Sequence, residues 1–65
     1  MSAWLILANY QQEVEGLLVG RLYASIVERR EINSRLAYIR DHANELSDRV
    51  EVTPDWLRCL RGLSL

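Results

Sequence analysis

The chain has 65 residues and a mass of 7.6 kDa, with 49% hydrophobic and 26% charged side chains and a net charge of −1. That composition predicts one globular domain spanning 1–65, and excludes a disordered chain or an overall field that would gather nucleic acid or anionic lipid. A single cysteine, Cys59, and a single histidine, His42, exclude an internal disulfide and a four-ligand zinc site. No cofactor is implied. A domain this small is marginal unless it is stapled or associated, so association is the expected source of extra stability.

The most apolar run comes first, from Ala3 to Ala8. It is far shorter than the roughly 20 residues that span a bilayer, and it lacks the flanks of a signal peptide. A cytoplasmic location without a membrane is therefore expected, in keeping with an unpaired cysteine. Over so few residues, periodicity leaves helix and strand both open for 3–8. Asn9 with Gln12 three residues on reads as a capping box that opens a long helix.

From about Tyr10 to Val50 there is no proline and helix formers dominate. Leu17, Leu18, Val19, Leu22, Tyr23, Ile26 and Val27, placed 100° apart, cover more than half of a helix circumference. Gly16, Gly20 and Ala24, spaced by four, form a smooth strip beside them. A helix apolar over so much of its girth must be covered from several sides. The predicted interface is accordingly Gly16, Leu18, Val19, Gly20, Leu22, Tyr23, Ala24, Ile26 and Val27, and the predicted partner is a second copy or another protein.

Glu28, Arg29, Arg30 and Glu31 read as a solvated face. From Ile32 the pattern narrows to a seam: Ile32, Leu36, Ile39, Ala43, Leu46 and Val50 alternate steps of four and three, as in helical hairpins and coiled coils. Ser25 and Arg29 interrupt that seam toward the N-terminus. Asn33 and Ser34 then offer a cap for a second helix after a tight turn. A single rod over 10–50 stays open, with a hairpin favoured because it buries part of the stripe. His42 is expected on the solvated flank of the seam.

Thr53, Pro54 and Asp55 predict a short last helix from Pro54 to Arg61: cap, first turn and favourable charge at the positive end of the helix dipole. Gly62 stands where a C-terminal cap belongs. Within this helix Cys59 is expected to be buried or half-buried, and Trp4 and Trp56 are expected to serve in packing. The fold class is therefore all-α, a small helical hairpin or bundle with a short C-terminal helix, completed by dimerisation.

The stretch from Leu46 to Leu60 resembles a helix-turn-helix. Val52-Thr53-Pro54-Asp55 followed by Leu57-Arg58 is similar to the turn and second helix of MerR-type regulators. That resemblance implies a helix over 54–61 in a DNA major groove, with Arg58, Arg61 and Trp56 as candidate contacts. Glu51 occupies the turn position that usually carries glycine, and Asp48, Glu51 and Asp55 would oppose phosphates, so nucleic acid ranks second. A shorter segment, Asp41 to Leu46, is similar to part of the Rop family of helical-hairpin dimers and illustrates how a chain of this length builds a four-helix bundle from two copies. No pair of groups has catalytic spacing. The expectation is a non-enzymatic interaction module (a regulator, adaptor or inhibitor), with a dimeric DNA-binding regulator using 46–61 as the alternative.

Overall fold

The computed structural model describes residues 2–65. Three helices follow in order: α1 over Ala3–Tyr23, α2 over Ile26–Val50 and α3 over Asp55–Arg61. The fold is all-α, and the hairpin alternative holds over the single rod. At 1.5 Å per residue, the 25 residues of α2 account for the 36 Å long axis of the molecule.

The starts of the two long helices differ from expectation. Ser2 caps α1, its side chain accepting the Leu5 N–H at 3.3 Å, so 3–8 is helix and Asn9 lies inside it. The hairpin bend is only two residues, Ala24 and Ser25, both with extended backbone. Ser25 then caps α2 by accepting the Glu28 N–H at 3.2 Å. Asn33 and Ser34 sit well within α2 and cap nothing. The signal was legible after all: Ser25 and Glu28 have the spacing of a capping box.

The seam over Ile32–Val50 is confirmed. Leu36, Ile39, Ala43 and Leu46 are buried, with Ile32 and Val50 half-buried. α1 answers with a matching register of its own: Ala3, Leu7, Tyr10, Val14, Leu17 and Arg21, again in alternating steps of four and three and continued by Ala24 in the bend, are buried or half-buried, with Ile6, Glu13 and Leu18 half-buried beside them. Leu7, Ala43, Leu46 and Leu57 form one core cluster, at the end holding Trp56 and Val50. Val14, Leu36, Ile39 and Leu60 form the next, with Leu17, Leu18 and Ile32 packed against it. Beyond these, from Val19 to Glu31, no residue is buried.

α2 ends where a residue turns left-handed. Glu51 has φ 57° and ψ 29°, and its N–H and that of Val52 both reach the Ser47 carbonyl. The buried Ser47 hydroxyl donates to the Val52 carbonyl at 2.7 Å and lies 3.2 Å from the Thr53 hydroxyl. Thr53 is thus used in the turn and does not cap α3, whose N-cap, Pro54, supplies no side-chain bond. Glycine adopts left-handed backbone without a Cβ penalty. We therefore expect Glu51→Gly to raise stability by about 0.5–1 kcal/mol, read as a higher melting temperature by circular dichroism.

Candidate interaction surface

Between Arg21 and Arg29 the packing logic of the hairpin inverts. Both arginines occupy positions where the seams of α1 and α2 would continue, and Arg29 Nη2 donates to the Arg21 carbonyl at 3.2 Å. That carbonyl belongs to the last turn of α1, where helix carbonyls lack intrahelical partners and favour a cation. Arg21 Nη2 in turn donates to the Ser64 carbonyl at 3.2 Å. With the seam given to these polar contacts, the apolar residues of the bend point outward. Leu22 is 74% exposed, Tyr23 86% and Ile26 75%, while Val19 and Val27 are each at least 60% exposed.

The nine interface residues predicted from sequence divide accordingly. Val19, Leu22, Tyr23, Ile26 and Val27 form the exposed apolar bend, and Gly16 and Gly20 are exposed on α1 beside it. Leu18 is half-buried against the second core cluster, and Ala24 is half-buried in the bend itself. A Cβ built on Gly16 meets nothing within 4 Å, and one on Gly20 meets only Ile32 Cδ1, at 4.0 Å. Neither glycine serves a close crossing inside the chain.

Two shallow grooves flank this end. One, of about 450 Å³, is lined by Leu18, Arg21, Leu22 and Arg29. The other, of about 430 Å³, is lined by Arg30, Asn33, Ser34, Ala37 and Leu65. Two polar atoms lie enclosed without a hydrogen-bond partner in the chain, Arg21 Nε and Asn33 Oδ1, and each belongs to a residue lining one of these grooves. Three arginines (Arg21, Arg29, Arg30) and three glutamates (Glu15, Glu28, Glu31) lie on these stretches of α1 and α2, and none of the three ion pairs among the described residues involves them.

Away from the bend, polar side chains clamp α1 to α2. The Glu13 carboxylate takes hydrogen bonds from Arg35 Nε at 2.5 Å and Nη2 at 2.9 Å, a bidentate pair. Arg35 also lies 5.2 Å from the Tyr38 ring centre. The Tyr10 hydroxyl is 2.5 Å from His42 Nδ1, and the two rings meet edge-on at 5.5 Å. His42 is therefore half-buried and joins the helices, contrary to the expected free surface histidine. The phenol it contacts takes an inward seam position, and burial, helped by neighbouring Tyr38, holds the Tyr10 pKa above its usual value.

The Arg35 hydrogen bonds hold the Glu13 carboxyl below its usual pKa, and Glu13 raises that of Arg35. A depressed carboxylate pKa stabilises the fold above the ordinary value and loses that contribution as pH falls through the folded-state value. With the Glu13 side chain 37% exposed, solvent keeps the gain below about 1 kcal/mol. We expect Glu13→Gln to lower stability near neutrality by less than about 1 kcal/mol and to flatten the acid limb, the two curves converging as pH falls below about 4.5.

The candidate DNA contacts are engaged locally. Arg61 Nε donates to Asn44 Oδ1 at 2.6 Å, and Arg58 Nη1 lies 3.8 Å from Asp55. Trp56 is half-buried against both core clusters, as expected of a packing residue, while Trp4 is 52% exposed. Cys59 is exposed, a correction that follows from helical geometry. Leu57 and Leu60, three apart, take the inward face of α3, and the residue between them that precedes Leu60 faces out. No group of three or more His, Cys, Asp and Glu side chains among the described residues is placed to hold a metal ion, and no described helix is long and apolar enough to cross a membrane.

No protein-family model, curated protein or solved structure matches this chain.

Proposed function

We propose that the chain is a non-enzymatic protein–protein interaction module, a small cytoplasmic regulator, adaptor or inhibitor, and that it works by presenting the hairpin bend to another polypeptide. One observation carries this reading: over 19–31 the chain spends its seam on arginines and leaves Val19, Leu22, Tyr23, Ile26 and Val27 uncovered. Departures from otherwise consistent patterning concentrate at functional surfaces, and an exposed apolar cluster rimmed by polar groups is the ordinary mark of a docking site.

Site-specific photocrosslinking in the native host tests it. A benzophenone amino acid in place of Tyr23 should give a covalent protein adduct, whereas the same probe in place of Gln12, exposed earlier on α1, should give none. Absence of any adduct from the Tyr23 probe would sink the reading.

A further inference from the structure

The occupant of the bend can be read from its size and its charges, taking the bend as a docking surface as above. We infer that it is a second copy of this chain, docked bend to bend about a twofold axis. The first argument is area. Five apolar side chains between 60% and 86% exposed present on the order of 600 Å², close to the roughly 800 Å² each partner brings to a stable interface. An isologous contact uses the same patch twice, so one such patch suffices for a dimer.

The second argument is charge. Arg21, Arg29 and Arg30 have no carboxylate partner within the described residues, and Glu15, Glu28 and Glu31 have no cation. With three of each sign, a twofold contact can set the glutamates of one bend against the arginines of the other. The equal numbers also make the rim neutral, which gives neither a nucleic acid nor an anionic lipid surface an electrostatic handle. A third observation agrees: α1 past Leu17 and α2 before Ile32 each run for just under two turns with no buried residue, and helix with so little packing is marginal in water. A second copy supplies the missing packing.

Sedimentation equilibrium between 5 and 300 µM tests the inference on the whole chain. The expected mass is twice 7.6 kDa. Leu22→Asp with Ile26→Asp should weaken association by at least about 100-fold, as loss of a central apolar pair does, with the circular dichroism of a folded hairpin retained and any loss confined to the helix of 18–31, because neither side chain is in the core. Two charge variants supply the specific readout: Arg29→Glu with Arg30→Glu, and Glu28→Arg with Glu31→Arg. Each alone should sediment as a monomer, and an equimolar mixture should recover the dimer mass, since each bend then meets its opposite.

A wild-type chain that stays at 7.6 kDa at 300 µM overturns the inference, as does a mixture that never exceeds the mass of its parts. So does a wild-type monomer that cosediments with phosphatidylglycerol vesicles through the same bend. The crosslinking result separates the two readings. A Tyr23 adduct with a different polypeptide removes the second copy but keeps the docking surface, and no adduct of any mass removes both.

Discussion

Leu36→Ala should lower the stability of this chain by about 3 kcal/mol, within the 2–5 kcal/mol range of buried leucine truncations. Leu36 is 0% exposed and stands at the centre of the cluster made with Val14, Ile39 and Leu60. All three helices contribute to that cluster, so no single element can shift to close the void. A core of this size supplies no more than about 3–5 kcal/mol in total, and the variant should sit near its unfolding transition at room temperature. At about 4–8 °C per kcal/mol for a small domain, the melting temperature should fall by roughly 12–24 °C. Thermal melts followed at 222 nm measure it. A shift of less than about 4 °C would mean that the cluster does not hold the hairpin.

Leu57→Ala should cost a similar amount by a different route. Seven residues of helix do not persist alone, so α3 exists because Leu57 and Leu60 dock it, one into each core cluster. Removing the Leu57 side chain exposes Leu7, Ala43 and Leu46 on their α3 side and loosens Trp56, which packs beside them. The outcome is expected in two observables. Stability falls by about 2–4 kcal/mol, and in the Trp4→Phe background, where Trp56 is the sole tryptophan, emission shifts toward that of a solvated indole before the main transition. Coincident loss of fluorescence and circular dichroism would instead mean that α3 and the hairpin unfold as one unit.

Much of this architecture is legible in the sequence because the hydrophobic spacing of α2 is clean. Six apolar residues from Ile32 to Val50 hold one register without interruption, and all of them face inward. The short last helix is equally readable from Pro54, Asp55 and Gly62, though the hydroxyl of Thr53 goes to Ser47 rather than to a cap. Glu51 shows how far a departure can be read: its place in a turn that favours glycine is visible in the sequence, and the structure gives it left-handed backbone.

α1 is harder to read for a physical reason. Its true register passes through Arg21 and Ala24, while Leu18, Val19 and Leu22 lie off the seam, so a count of apolar positions finds a broad face instead of a line. The bend was obscured by competing caps. Asn9, Asn33 and Ser34 all have cap chemistry, and the pair in use, Ser25 with Glu28, flanks the apolar Ile26 and Val27. The place of His42 is not legible from its neighbours in sequence, because its partner, Tyr10, is 32 residues away and reaches it only once the hairpin closes. The apolar surplus at 19–27, in contrast, needed no tertiary knowledge: the sequence reading and the exposed side chains agree on Val19, Leu22, Tyr23, Ile26 and Val27.

The hairpin bend has no buried residue of its own over 19–31, and the proposal is that another chain covers it. Amide hydrogen exchange over 19–31 tests this most directly, comparing wild type with the Leu22→Asp, Ile26→Asp variant, both at 300 µM. Strong protection of these amides is expected in the wild type and its loss in the variant, with protection at Leu36 and Ile39 retained in both. Equal exchange over 19–31 in the two proteins would contradict it.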